Sequence, residues 1–296
     1  MLSFDFDGRW AALNTKSDPP GALDETHARM RESLLSQYGN DHFDAKLKNY
    51  MDLGPKPMSV LAYHNIHLDG CRNAFVIGSY YPALTGACAM GERILNELVI
   101  DLRKHYKTTP EYAEVETMKS SSNWRVMNNT LKAWGVLLDE VWQAFKDLAK
   151  VRQRSLHFNP TPEKSDRTLA LEALKLVQTV IGHQFSAFGP QPWFLTGIPG
   201  EIYIKGEWTT HPFILEVYTH NTMLVSPYHR LDGWPPKRIH EDEEFEQTVS
   251  DEEFVQRRLG VPAERERLRR CGGVVRYECA VRGRHVAARR DAGRGS

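Results

Sequence analysis

An arginine and a histidine lie five positions apart in the middle of the chain, in the segment Arg152-Gln-Arg-Ser-Leu-His157. Arg152 keeps its positive charge at any physiological pH, and the planar fork of guanidinium N–H donors suits a phosphate group. Histidine is the side chain whose ordinary pKa allows it to give and take protons near neutral pH. Together the two residues supply the charge and the proton transfer needed to cleave a phosphodiester without a metal ion.

A predicted helix over residues 138–156 carries this pair at its end. One face of it holds apolar residues and Arg152 at spacings of three and four, namely Val141, Phe145, Leu148 and Arg152. Asn159-Pro160 should stop the helix, because the residue before a proline avoids the helical conformation. Positions five apart lie about 140° apart around a straight helix. Either the helix therefore ends near Ser155 and His157 turns back, or two protomers build the site together.

Helical spacing of apolar residues covers most of residues 58–190, which we expect to form a helical bundle. Helices are predicted at about 58–80, 82–105, 123–136, 138–156 and 166–185. Residues 1–57 are expected to be an N-terminal extension with one helix, near 24–38. This extension should end at the helix-breaking segment Gly54-Pro55-Lys56-Pro57.

Residues 191–231 change to a pattern rich in β-branched and aromatic residues. Strands are predicted at 193–196, 202–205, 213–218 and 222–225, as a small antiparallel sheet of three or four strands. Because so small a sheet is marginal alone, we expect it to pack on the helices. Residues 232–296 are highly charged and are expected to be weakly ordered. The predicted fold class is therefore mainly α, a helical bundle with a small β appendage and a charged tail.

The charges are unevenly distributed, although 38 Lys and Arg balance 38 Asp and Glu. Residues 257–296 contain 12 Arg and four acidic residues, a net charge of +8 (12 − 4), so residues 1–256 carry −8. The abrupt change from mixed Lys and Arg to Arg alone fits either a genuine basic tail or a shift of reading frame in the source DNA. Binding of nucleic acid would require the tail or a local basic patch.

The composition favours a soluble protein of a reducing compartment, and we expect the cytoplasm. The four cysteines include no CxxC pair, which argues against a disulfide framework. The first residues lack the pattern of a signal peptide, and no apolar run approaches the length of a membrane span. No GxxxxGK[ST], GxGxxG or HExxH motif occurs, so we expect no nucleotide or dinucleotide cofactor and no zincin site.

Three other groups of residues could take part in metal binding, catalysis or base stacking. His64, His67 and Cys71 could share a helical face, but no second ligand pair stands out, and we expect a polar helix face and no metal site. Cys88 lies among small residues, which indicates close helix packing rather than a nucleophile. Tryptophans such as Trp124 could stack on bases, although aromatic residues at helical spacing usually belong to the core.

The segment from Val151 to Pro160, with Arg, four residues and then His, resembles the signature of the HEPN superfamily, the higher eukaryote and prokaryote nucleotide-binding domain. It is similar to the form Arg-Asn-Arg-x-x-His-Gly-Asn-Pro, with Gln153 in place of the small polar residue and Phe158 in place of Gly. Upstream, the run from Thr85 to Leu98 resembles the family's early helix, in which small residues precede a Glu, here Glu92. The resemblance covers about residues 60–188 and implies an all-helical bundle.

Members of this family are often metal-independent endoribonucleases of toxin–antitoxin or antiphage defence systems. The resemblance implies that Arg152 holds the scissile phosphate of RNA and that His157 acts as general base or acid. Gln153, Arg154, Asn159 and Glu92 would support them. It also implies a homodimer with motifs meeting at the two-fold axis, an antitoxin or regulatory partner, and products with 2′,3′-cyclic phosphate and 5′-hydroxyl ends.

A second interpretation remains open, because some members of the family are inactive. Arg152 would then form a structural ion pair with Glu92, and His157 would be an ordinary residue at a helix C-terminus, where a cation is favourable. The chain would be a dimeric interaction or nucleotide-binding module of a defence or regulatory system.

Overall fold

Ten α-helices and four short strands make up the part of the chain that the structure describes. The computed structural model describes residues 7–15, 24–120, 123–156, 166–198, 202–222, 224–227, 229–232, 237–240 and 250–259. The helices are α1 (Arg9–Asn14), α2 (Asp24–Tyr38), α3 (Phe43–Leu53), α4 (Ala62–Val76), α5 (Tyr80–Leu102), α6 (Tyr112–Val115), α7 (Trp124–Ala133), α8 (Asp139–Leu156), α9 (Asp166–Gln184) and α10 (Asp251–Leu259). The strands are β1 (Phe194–Leu195), β2 (Tyr203–Ile204), β3 (His229–Asp232) and β4 (Lys237–His240).

The prediction of a mainly helical fold is confirmed. The helices expected from apolar spacing correspond to α2, α4, α5, α7, α8 and α9. Among the described residues, no helix is both long enough and apolar enough to cross a membrane.

Helix α5 lies at the centre of the bundle and contacts α4, α7, α8 and α9. Its buried residues recur at helical spacing and include Ala87, Cys88, Gly91, Ile94, Leu95 and Leu98. Gly91 is the point of closest approach, because a Cβ atom there would lie 2.6 Å from Leu148 Cδ2 and 2.9 Å from Trp124 Cη2. The absence of a side chain at Gly91 therefore allows α7 and α8 to approach α5 closely.

The N-terminal helices pack on this bundle. Leu34, Tyr50 and Leu53 are buried in the same hydrophobic cluster as the central helices. The Asn49 amide donates hydrogen bonds to the carbonyls of Phe75 and Val76, each at 3.2 Å, and so satisfies the end of α4. The apolar spacing in residues 1–57 predicts α2 but neither α1 nor α3.

The β appendage differs from its prediction. Among the described residues of this region, only β1 and β2 form a strand pair, with Phe194 opposite Ile204 and Leu195 opposite Tyr203. The expected strand 213–218 is wrong, because a π-helix spans Ile214–Thr219. The described residues of the expected strand 222–225 belong to no strand. Burial explains the helix: the buried residues are Phe213, Ile214, Val217 and Tyr218, which is a helical and not an alternating pattern.

The appendage does pack on the helices, as expected. The Tyr218 hydroxyl donates to the Gln184 and Ser186 carbonyls at 3.1 and 2.9 Å, just after α9. The Trp193 ring lies 5.5 Å from Phe213 and 5.6 Å from Tyr218, so that an aromatic cluster seals the end of the bundle.

Strand β4 and helix α10 lie inside the segment 232–296, which was expected to be weakly ordered. Strands β3 and β4 pair antiparallel, and α10 follows. Acidic residues in the first turn of α10 and arginines in its last turn suit the helix dipole. Its Phe254 ring lies 5.0 Å from Tyr203 of β2. The expectation is therefore corrected for Lys237–His240 and Asp251–Leu259, while residues 233–236, 241–249 and 260–296 lie outside the described residues.

Candidate functional site

Arg152 lies near the C-terminal end of α8, on the side that faces α5 and α7. Its Nη2 atom is 3.2 Å from Glu92 Oε2 on α5, and its guanidinium lies 5.7 Å from the centre of the Trp124 ring on α7. The side chain is 28% exposed. The ion pair expected in the second interpretation is thus present, and it sits at the surface and not in the core.

Glu92 is fixed by a second contact. The Trp124 Nε1 atom donates a hydrogen bond to the same Glu92 Oε2 at 3.0 Å. Trp124 itself is the first residue of α7, where the Asn123 side chain accepts from the Val126 amide at 3.3 Å and caps the helix. Arg152, Glu92 and Trp124 form a cluster on three helices, which we call the Arg152 cluster.

The Arg152 guanidinium keeps donors available within this cluster. A bidentate pair would align two parallel N–H groups with both carboxylate oxygens. Here the nearest contact joins Arg152 Nη2 to Glu92 Oε2 at 3.2 Å, and the described hydrogen bonds include no two-point pair between these side chains. An incoming phosphate could therefore bind the guanidinium without first breaking a two-point pair.

The other predicted site residues do not join the cluster within the described part of the chain. Gln153 is exposed, and Arg154 Nη2 lies 2.9 Å from Glu172 Oε2 on α9, so that Arg154 contacts a different helix from Arg152. His157 and Asn159 lie outside the described residues. The described geometry therefore brings together Arg152 and Glu92 only.

The cysteine beside the cluster has no nucleophilic character. Cys88 lies one turn before Glu92 on α5 and is buried. Burial raises the pKa of its thiol to about 12, an effect that the charge of Arg152 only partly opposes. The thiol is therefore protonated at neutral pH, and its place among small residues serves packing.

Two of the residues weighed as metal ligands, His64 and Cys71, are buried in the helix packing, and the His64 Nε2 atom has no hydrogen-bond partner among the described residues. His64 is buried, its Nδ1 atom lies 2.9 Å from the Ser59 hydroxyl, and burial lowers its pKa to about 3. Burial also raises the pKa of the Cys71 thiol to about 11. Among the described residues no group of three His, Cys, Asp or Glu side chains is arranged to hold a metal ion.

Two cavities were not predicted, because their walls come from segments far apart in the chain. The larger measures about 400 Å³ and has Glu97, Asp101 and Glu216 in its lining. Glu97 is paired with Arg93, and Glu216 with Lys104 and His105, so cations of this chain already compensate these two carboxylates. The smaller cavity lies beside Arg72, between the N-terminal helices and α4.

Comparison with known proteins provides no relative: no family model, curated protein or solved structure matches the chain significantly. The sequence motif and the geometry of the Arg152 cluster are therefore the observations that bear on function.

Proposed function

We propose that this chain is a metal-independent endoribonuclease of the HEPN type, which acts on cytoplasmic RNA through Arg152 and His157. The observation that carries the proposal is the position of Arg152, which is half-buried near the end of α8. Its guanidinium contacts Glu92 and Trp124 and keeps N–H donors available for a ligand. An arginine oriented in this way is prepared to bind a phosphate. The sequence places His157 immediately after the last residue of α8.

The chemistry follows from the two side-chain types. The RNA 2′-hydroxyl attacks the adjacent phosphorus, the new bond from O2′ to phosphorus forms, and the bond to the 5′ oxygen breaks. His157 takes the proton from the 2′-hydroxyl or gives one to the departing 5′ oxygen. Arg152 stabilises the charge that develops on the non-bridging oxygens. The products carry a 2′,3′-cyclic phosphate and a 5′-hydroxyl.

A homodimer is part of the proposal. Helix α8 continues through Leu156, and if the helical turn were extended, position 157 would lie about 140° around the axis from Arg152. Arg152 of one protomer would therefore meet His157 of its partner across a two-fold axis formed near the end of α8. A specific RNA and an antitoxin or regulatory partner fit the mildly acidic body, because non-specific attraction to RNA is weak.

One observation favours a second candidate function. The ion pair between Arg152 and Glu92, with the Trp124 hydrogen bond to the same oxygen, also links three helices as a purely structural contact would. In that case the chain is a non-catalytic dimeric interaction or nucleotide-binding module.

The experiment is cleavage of a mixed RNA pool in EDTA by the wild type, His157→Ala and Arg152→Ala at matched dimer content. Arg31→Ala is the matched control, because Arg31 lies 3.4 Å from Asp44 and 5.5 Å from the Phe43 ring, a similar environment far from the motif in sequence. We expect cutting with cyclic-phosphate ends by the wild type and by the control alone. Equal cutting by all four proteins would refute the assignment, and no cutting by any would favour the second candidate.

A further inference from the structure

Arg72 is a buried cation whose described hydrogen-bond partners are uncharged. It lies in the last two turns of α4 and is only 4% exposed. Its guanidinium donates to the Gly54 carbonyl at 3.0 Å and to the Gln178 side-chain oxygen. Both acceptors are uncharged, and no carboxylate among the described residues forms an ion pair with Arg72.

This arrangement is unfavourable unless something compensates the charge. Arginines are almost never buried unless they are paired, because the ion loses its hydration. A guanidinium cannot avoid the cost of burying its charge by losing a proton, because it stays protonated at physiological pH. The Gly54 carbonyl lies at the end of α3, where the helix dipole offers only a partial negative charge.

The smaller cavity, of about 80 Å³, lies against Arg72. Two more cations line it, but each has its own carboxylate: Arg9 Nε lies 2.9 Å from Asp7 Oδ1, and Lys56 Nζ lies 2.9 Å from Asp69 Oδ1. Among the described lining residues, three cations and two carboxylates leave one surplus positive charge (3 − 2). Arg72 is the cation of the three with no ion pair to a described carboxylate, although Asp7 and Asp69 also act on its charge at longer range.

The remaining lining residues are mostly polar. They are Gln37, Tyr38, Tyr50, Asn73 and Val76. A space of this size exceeds what one water molecule needs and accommodates a group of a few heavy atoms. Hydroxyl, amide, ammonium and guanidinium groups are the donors that bind oxyanions in proteins.

We propose that this cavity binds a small oxyanion of the phosphate class, which supplies the negative charge that Arg72 lacks. Arg72 and Lys56 would contact the anion, and Asn73 and Tyr38 would contribute polar contacts near its entrance. The site is separate from the Arg152 cluster and does not depend on ribonuclease activity. Neither the motif nor the resemblance places a ligand here.

The test is thermal unfolding of the full chain in inorganic phosphate and in chloride at equal ionic strength. A ligand that binds the folded state raises the melting temperature as its concentration rises. We expect a saturable rise with phosphate and with sulfate that chloride does not produce.

Asn73→Asp is the decisive variant, because it adds the missing negative charge to the cavity wall and changes little else. Asn73 Oδ1 accepts from the Tyr38 hydroxyl at 2.8 Å, and an aspartate keeps that role. Asn129→Asp is the matched control, since Asn129 is exposed and its Oδ1 accepts from Trp142 Nε1 at 3.3 Å. We expect Asn73→Asp to weaken phosphate binding by about tenfold or more and the control to leave it unchanged.

Lys56→Met provides a second variant that removes one cation without removing Arg72, and it should weaken phosphate binding as well. No phosphate-specific rise in the wild type would overturn the proposal. An equal rise in the wild type and in Asn73→Asp would also overturn it, because the anion would then bind elsewhere.

Titration with a nucleoside monophosphate and with glycerol phosphate distinguishes free phosphate from the phosphate group of a larger molecule: whichever binds more tightly identifies the source.

Discussion

Two arginines near the ends of long helices show how burial changes the role of the same side chain. Arg152 is 28% exposed and has a carboxylate, Glu92, and a ring, Trp124, as neighbours. Arg72 is 4% exposed, and its acceptors among the described residues are neutral. The first can offer its charge to a ligand with little consequence for stability. The second is part of the fold, and its charge requires compensation from something that enters the cavity.

The largest expected effect concerns activity at the Arg152 cluster. Arg152→Ala should lower the rate of RNA cleavage by about 10²–10³-fold, because a donor that stabilises transition-state charge is lost. The free energy of unfolding should change by about 1 kcal/mol or less, since half-exposed ion pairs contribute little. Single-turnover cleavage and urea unfolding of the same preparation measure the two effects. A large loss of stability would mean that the two arginines do not differ in the way described.

The reverse result is expected at Arg72. Arg72→Ala should lower the free energy of unfolding by about 2–4 kcal/mol, because a buried volume is emptied and the acceptors at Gly54 and Gln178 lose their donor. Arg72→Met should cost less, since it fills the space and buries no charge. Urea unfolding of both variants measures the difference, and an alanine variant as stable as Arg152→Ala would contradict the comparison.

His64 lies at the other end of α4 from Arg72 and extends the comparison. A buried histidine can lose its proton and become neutral, whereas a buried arginine stays charged. Its folded pKa of about 3 lies below the ordinary value of 6.5. At pH values between these two pKa values, the unfolded chain binds a proton at His64 that the folded chain does not bind. The free energy of unfolding therefore falls as the pH falls, by up to about 1.4 kcal/mol per pH unit. His64→Phe should flatten that dependence. Urea midpoints at pH 7.5, 6 and 5 test this, and parallel pH profiles would speak against it.

The smallest expected effect concerns the support of the Arg152 cluster. Gly91→Ala should destabilise the protein by about 1–3 kcal/mol, because its Cβ would collide with Leu148 and Trp124. Gly70→Ala is the control: it is an exposed glycine of α4 with nothing within 4 Å of the added atom, and it should stabilise the helix by about 0.5–1 kcal/mol. Equal effects of the two substitutions would show that α5 and α7 have room to separate.

The helices were predictable because their signals are local. Helix α2 has the bounds expected at 24–38, and the predicted end of α8 agrees with the observed Leu156. The contact of Arg152 with Glu92 was also foreseen as one alternative. The strand expected at 213–218 failed because composition favoured a strand, whereas the buried positions Phe213, Ile214, Val217 and Tyr218 follow a helical period.

The sequence by itself determined the helical segments and the presence of an arginine and a histidine suited to phosphodiester chemistry. Apolar periodicity and side-chain type are properties of neighbouring residues, which a single chain displays directly. Only the packing of the helices brings Arg152 to Glu92 and Trp124 and Arg154 to α9. The same packing buries Arg72 beside a cavity, with no ion pair to any described carboxylate. Those facts depend on contacts between residues far apart in the chain, and burial, which sets the cost of a charge, exists only after the helices have packed.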